Sequence, residues 1–322
     1  MNMSLNTKYG LLNGLSRCEF YDCGSIKECT LNSFNQIPTN YGVLSAQYDD
    51  SNPRKKFTKS MSFYESGALK TIALEEQTLI KTPTGTFTAE LMSFYESGAI
   101  KRLFPLNGKI TGYWSEDDEY KMASELTLNI GNKTIKTKAI SVYFYESGAI
   151  KGLTLWPQDR LKVSTPIGKT IYARIGITFY SDGSIKSLEP YIPVSIDTPI
   201  GMLEAFNSSA IGINGDINSL RFDASGKVIH LMTSTDKVTV TGPDGTDISY
   251  QPKLVPNPLI PDKKEISPLI VEFKEKEVIF NNSASYEIDK YSFKVSPSCF
   301  TDYANSCGDC GTCKAHSPCG LP

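Results

Sequence analysis

The octapeptide Phe94-Tyr95-Glu96-Ser97-Gly98-Ala99-Ile100-Lys101 recurs almost unchanged at residues 63–70 and 144–151. Looser copies lie at residues 20–27, 179–186 and 222–228. Such self-similarity restricts the chain to repeat architectures before any other consideration applies. The unit reads as a β-hairpin. Residues of high β-propensity precede the turn, as in Met92-Ser93-Phe94-Tyr95. Gly98 supplies the left-handed residue that closes a three-residue loop with a bulge. That geometry pairs Tyr95 with Ala99 and Phe94 with Ile100. Phe94 and Ile100 then share one face, where they pack across the strands. A slip of one residue sends both to the other face, so the turn also sets the register.

A second turn alternates with the first. It reads Thr82-Pro83-Thr84-Gly85, Thr165-Pro166-Ile167-Gly168 and Thr198-Pro199-Ile200-Gly201. Pro in second place and Gly in fourth suit a type I turn. Ile37-Pro38 with Gly42, Ile130-Gly131-Asn132-Lys133 and Gly242-Pro243-Asp244-Gly245 read as degenerate versions. Chained together, the two turns predict an all-β fold, an elongated twisted antiparallel meander of hairpin repeats. The array is expected over residues 1–250, with residues 1–16 as a lead-in or edge segment. A stretch holding Pro252, Pro256, Pro258 and Pro261 then reads as a linker or an extended crossing strand. It leads to a small C-terminal β module within residues 251–297 and a Cys-rich tail at 298–322.

The aromatic pair before the turn and the Ile-Lys pair after it resemble the MORN-type hairpin repeats of bacteria. The resemblance covers residues 17–250 in patches. It implies a scaffold, a binding surface or an antitoxin-like partner. The repeats here are more widely spaced than in a close-set MORN tandem, and the Thr-Pro-X-Gly turn intervenes.

Insertions account for the uneven spacing. They fall at residues 49–56, at 107–126 and at 207–216, and insertions in a repeat array usually emerge as loops on a binding face. The second holds Trp114 and the acidic run Glu116-Asp117-Asp118-Glu119. A short helix is expected at 115–126, with Ser115 as its N-cap and acids in its first turn. The acidic run lacks the spacing of a calcium loop and reads first as a solvated loop.

The 322 residues carry a net charge of −2, which gives no basic face for nucleic acid. No apolar run approaches the roughly 20 residues of a membrane-spanning helix. The N-terminus lacks the pattern of a secretory signal, so a cytoplasmic protein is expected. Its eight cysteines are confined to the ends: Cys18, Cys23 and Cys29 in the first repeat, then Cys299, Cys307, Cys310, Cys313 and Cys319. Cys307-X-X-Cys310-X-X-Cys313 resembles the first three ligands of a ferredoxin iron–sulfur site, but Cys319 follows later than the fourth ligand of that pattern. A zinc site built on the same cysteines with Cys299 or His316 is the alternative, as is a thiol-rich tail that binds nothing specific. Cys18, Cys23 and Cys29 read either as contributors to that site or as small buried apolar residues.

Other chemistry is sparse. His230 lies on an expected strand, outside any catalytic motif, and reads as a satisfied structural histidine. The repeated tyrosines Tyr64, Tyr95, Tyr145 and Tyr180 line one face, either as a ligand stripe or as cross-strand stacking. The sequence therefore points to a non-enzymatic scaffold that binds a protein partner and carries zinc or an iron–sulfur cluster on its tail, for metal delivery or electron transfer. The alternative is a pure interaction module with an incidental tail. An enzyme working through Glu116 or Asp117 is the remaining class. Nucleic-acid and membrane partners are not expected, and the oligomeric state is open.

Overall fold

The computed structural model describes residues 3–300, apart from 213–214, 258–259 and 261. The protein is an all-β antiparallel meander of hairpins, with one short helix among the described residues. It divides into two compact units. The first holds Met1–Trp156 with Ser181–Gly183, and the second holds the remainder.

The first unit contains β1 (Met3–Thr7), β2 (Gly10–Phe20), β3 (Ile26–Leu31), β4 (Gln36–Thr39), β5 (Gly42–Ser45), β6 (Met61–Phe63), β7 (Leu69–Thr82), β8 (Gly85–Phe94) and β9 (Ile100–Phe104). These are followed by α1 (Glu116–Met122), β10 (Leu126–Ile130), β11 (Lys133–Thr137), β12 (Ala139–Phe144) and β13 (Ile150–Leu155). Antiparallel neighbours run β1, β2, β3, β6, β7, β8, β9, β12, β13. The pairs β4–β5 and β10–β11 are hairpins that leave this succession and return to it.

The repeat turn forms as its sequence dictates. Phe94 pairs with Ile100, the Tyr95 amide donates to the Ala99 carbonyl at 2.8 Å, and Gly98 has φ +86°. Phe94 and Ile100 are each 2% exposed. The remaining motif residues also have structural duties. The Tyr21, Tyr64 and Tyr95 hydroxyls donate to the carbonyls of Phe63, Phe94 and Phe144, at 2.8, 2.8 and 2.9 Å. Each repeat tyrosine is thus tied to the phenylalanine of the next repeat. Lys70 and Lys101 lie over the rings of Tyr64 and Tyr95, at 5.5 and 5.6 Å from the ring centres.

The second turn is defined by its threonine more than by its proline. The Thr7, Thr39, Thr82 and Thr198 hydroxyls donate to the carbonyls of Gly10, Gly42, Gly85 and Gly201. Residues 3–15, expected as a lead-in or edge segment, therefore form the first hairpin of this class. In the first unit the tips carrying Tyr9 and Tyr41 each reach past the next repeat turn in the chain to the one after it. Tyr9 lies 6.4 Å from the Phe63 ring and its hydroxyl accepts from the Leu69 amide at 2.7 Å. Tyr41 repeats the arrangement with Phe94 and the Ile100 amide, at 6.3 and 3.0 Å. The bulge after each glycine leaves that amide without a ladder partner, and the tyrosine supplies one.

The second unit contains β14 (Leu161–Ser164), β15 (Thr170–Phe179), β16 (Ile185–Pro190), β17 (Val194–Thr198), β18 (Gly201–Ala205), β19 (Leu220–Phe222), β20 (Val228–Thr233) and β21 (Asp236–Thr241). After these come β22 (Asp247–Tyr250), β23 (Lys253–Pro256), β24 (Lys264–Ser267), β25 (Leu269–Phe273), β26 (Glu277–Phe280), β27 (Ala284–Glu287) and β28 (Ser292–Pro297). Its main sheet runs β14, β15, β16, β19, β20, β25, β26, β27. The C-terminal strands thus join the repeat sheet directly, through His230–Thr233 against Leu269–Glu272. A three-stranded sheet of β22, β21 and β28 and the hairpins β17–β18 and β23–β24 complete the unit.

Candidate partner-binding site

The insertions at 49–56 and 107–126 emerge from different repeats and clasp one another. Lys55 pairs with Gly108 as an isolated bridge. The Lys56 amide donates to the Asn107 carbonyl at 3.1 Å, and the Lys109 amide to the Arg54 carbonyl at 2.8 Å. Arg54 is the centre of the clasp. Its guanidinium donates to the Glu90 carboxylate and, at 2.9 Å, to Glu119 Oε1. All three side chains are at least nine-tenths buried. Burial alone lowers the Arg54 pKa, but the bonds from Glu119 and Glu90 outweigh it and raise the value above the ordinary one. Glu90 also accepts from the Asn107 amide at 2.7 Å, and Glu119 accepts from Trp114 Nε1 at 2.8 Å. Lys55 is buried beside them and donates to the backbone carbonyls of Leu74 and Glu75, while desolvation lowers its pKa. A side chain at Gly108 would overlap the Glu119 carboxylate, so only glycine fits the close approach.

The helix forms where its capping residues place it but is shorter than expected. Ser115 caps it, accepting from the Asp118 amide while Asp118 accepts from the Ser115 amide. It stops at Met122, and Leu126 already begins β10. Tyr120 and Ala123 pack on Leu106 and Trp156, with the Tyr120 and Trp156 rings 5.8 Å apart. The acidic run is consequently divided. Glu119 is buried in the ion-pair cluster and Asp118 serves the cap, leaving Glu116 and Asp117 exposed in the first turn.

On this base stands a tight turn. The Thr111 amide donates to the Trp114 carbonyl at 2.9 Å, and the Thr111 hydroxyl accepts from the amides of Tyr113 and Trp114. It presents Tyr113, 100% exposed, and Ile110, 62% exposed, with Met122 half exposed on the helix. A fixed loop bearing an unburied aromatic and an unburied aliphatic side chain has the composition of a binding anchor.

The third insertion, 207–216, is pinned in the same manner in the second unit. Glu189, fully buried, accepts from the Asn207 amide at 2.9 Å and from the amide and hydroxyl of Ser219. Arg174 stands 3.8 Å away and donates to the Asn207 carbonyl at 2.7 Å. Desolvation pushes the Glu189 pKa up against these bonds. Each of the two long insertions thus begins at an asparagine whose amide is held by a buried glutamate near an arginine, Arg54 with its side chain buried and Arg174 part-buried. Local sequence patterns do not show this, because the partners lie on different strands.

The second unit also carries a groove of about 470 Å³ between β18 and β28, lined by Ile200, Met202, Glu204, Asp236 and Phe293 among others. Asp236 Oδ2 accepts from the Glu204 amide at 2.6 Å and from the Thr233 hydroxyl at 3.0 Å. Burial raises its pKa to about 6.

His230 differs from its expected role. It is buried, yet neither ring nitrogen has a hydrogen-bond partner among the described residues. Glu272 stands 3.7 Å from Nδ1, too far for a bond, and Arg221 pairs opposite it. Burial, aided by Arg221 and opposed by Glu272, lowers its pKa to about 4. Folding therefore disfavours the protonated ring. The His230 contribution is intact above pH 6.5 and is lost as the pH falls toward 4, by about 3 kcal/mol. Asp236 acts in the opposite sense, favouring the fold below pH 3.8 and losing that contribution as the pH rises through 6. Urea titrations of wild type and His230→Leu share the Asp236 effect. Their stability difference should swing toward the variant by that amount between pH 6.5 and 4. A constant difference would remove the histidine from the account.

Of the residues expected to hold metal, Cys299 is in a disulfide, and Cys307, Cys310, Cys313 and Cys319, with His316, lie outside the described residues. Among the described residues, no group of three or more His, Cys, Asp or Glu is arranged to hold a metal ion. No helix among them is long and apolar enough to cross a membrane. Comparison with protein-family models, curated proteins and solved structures gives no match.

Proposed function

We propose that the chain is a non-enzymatic hairpin-repeat scaffold whose first unit docks a protein partner through the Ile110–Tyr113 turn. The observation that carries this reading is the contrast between the turn and its base. Arg54, Glu90 and Glu119 hold the base rigid and buried, while the Tyr113 side chain is fully exposed. Ordering a loop before it binds lowers the entropic cost of association. The partner class is a folded protein with an apolar pocket wide enough for a tyrosine ring. The resemblance to MORN-type repeats supports a scaffold of this kind.

The decisive test uses the full chain with Ile110→Ser and Tyr113→Ser combined. Both side chains are exposed, so the fold should keep its stability within about 0.5 kcal/mol. A partner isolated on the wild-type chain should bind the variant at least tenfold more weakly. Equal affinity would sink the proposal. The tail remains proposed as a zinc or iron–sulfur carrier on the strength of the Cys307-X-X-Cys310-X-X-Cys313 spacing. Anaerobic preparations should then contain iron and sulfide, or zinc, that a Cys307→Ser/Cys310→Ser variant lacks. Partner binding unaltered by removal of residues 298–322 would favour the pure interaction module.

A further inference from the structure

In every repeat hairpin of the first unit, one cross-strand pair sits two residues before the motif phenylalanine. It is Met61 with Ile72, Met92 with Leu103 and Val142 with Leu153, all fully buried. In the first repeat the same position is filled by Cys18 and Cys29. Directly opposed residues of an antiparallel pair project to the same face. The Cys29 carbonyl accepts from the Ser60 amide at 2.9 Å, so the Cys29 peptide groups face β6 rather than β2. Cys18 and Cys29 are therefore a non-hydrogen-bonded pair, the closer of the two antiparallel spacings, with Cα atoms about 4.5 Å apart. That lies inside the range a disulfide spans. Both thiols are free.

We propose that Cys18 and Cys29 form a redox pair that closes to a cross-strand disulfide and locks the first repeat hairpin. The two thiols differ in access. Cys29 is 2% exposed, whereas Cys18 is part-exposed. Burial, with a smaller contribution from Cys18 itself, pushes the Cys29 thiol up to about 12. Cys18 is accordingly the entry point. Its thiolate attacks a small-molecule disulfide, forming a mixed disulfide and releasing one thiol. Cys29 then loses its proton as it attacks the Cys18 sulfur, releasing the second thiol. Two protein thiols are oxidised to one disulfide, and one disulfide is reduced to two thiols. The location gives the bond a consequence. Among the described residues of the first unit's sheet, the β2 segment carrying Cys18 pairs with β3 alone, since the pairing of β1 starts at Met3 against Leu15. A strand segment held on one side opens more readily than one held on both, and a cross-link there suppresses the opening.

The experiment treats the native full chain with excess oxidised glutathione and maps disulfides by peptide mass spectrometry after alkylation. A Cys18–Cys29 linkage is expected in wild type and equally in Cys23→Ser, which removes the exposed turn thiol. Amide exchange over residues 16–31 should slow by about tenfold or more once the bond forms. In Cys29→Ala the reaction should stop at a glutathione adduct on Cys18. A stable adduct on Cys18 in wild type, a linkage to Cys23, or a Cys18–Cys29 bond that forms only in denaturant would each overturn the proposal.

Discussion

Replacing Arg54 with alanine should cost about 3–5 kcal/mol of stability. The side chain is 10% exposed and is the shared cation of Glu90 and Glu119, whose side chains are 4% and 5% exposed. Removing it strands two carboxylates in a space that excludes water, where their mutual repulsion is weakly screened. The loss is that of an unpaired buried charge, and a surface pair offers no guide to it. Two controls follow from the physics. Removing the three charges together, with Arg54→Met, Glu90→Gln and Glu119→Gln, should recover part of the stability, because no carboxylate of the cluster is then stranded while Lys55 keeps its backbone partners. The deficit of Arg54→Ala should also shrink as the pH falls, since protonation discharges the stranded carboxylates. Urea titration of the three proteins at neutral and acid pH decides the matter. A deficit below about 1 kcal/mol at neutral pH would mean that the insertions are held by other contacts. The docking turn would then lose its rigid base, and the functional proposal would lose its support.

The parts of this fold that the sequence makes legible are the local ones. Phe94, Gly98 and Ile100 declare a hairpin, its register and its buried face within seven residues, because turn geometry and strand alternation act at that range. The second turn class was half legible. Its proline marked the copies at 82–85, 165–168 and 198–201, but the side-chain bond that defines four of these turns comes from threonine. The copies Thr7–Gly10 and Thr39–Gly42 lack proline at the second place or carry it elsewhere, and only a search for Thr-X-X-Gly finds the first. The tyrosines were legible as a row and not as a ladder. Tyr95 reaches the Phe144 carbonyl across 49 residues, a distance set by the insertion between them. The candidate site was least legible. Residues 49–56 and 107–126 stand out as insertions, yet nothing in either segment shows that Arg54 meets Glu119, 65 residues away. The acidic run reads as solvated when its members are counted together. In the fold, one of them is buried as a counter-ion and one is spent on a helix cap.

The repeat motif itself should prove to be framework, and Phe94→Ala is the strongest test of that. Phe94 is 2% exposed and belongs to two neighbourhoods at once. Its ring packs near Tyr41 of the overlying hairpin, and its carbonyl accepts the Tyr64 hydroxyl of the preceding repeat. Truncation to alanine empties the space under Tyr41, and the backbone ladders on either side restrict collapse into it. The expected cost is about 3–5 kcal/mol. Tyr64→Phe isolates the ladder from the packing, because it removes one hydroxyl and keeps the ring; about 1 kcal/mol is expected. Tyr95→Phe should cost the same, through its own acceptor on Phe144. Denaturant titrations of these variants at one pH give all three values. Phe94→Ala measured below 1.5 kcal/mol would mean that the layers are not held by the motif. If the values hold, the folded fraction of each tyrosine variant should retain the wild-type affinity for the partner. The binding energy then resides in the inserted turn at Ile110 and Tyr113, and the repeated octapeptide supplies the surface on which that turn is built.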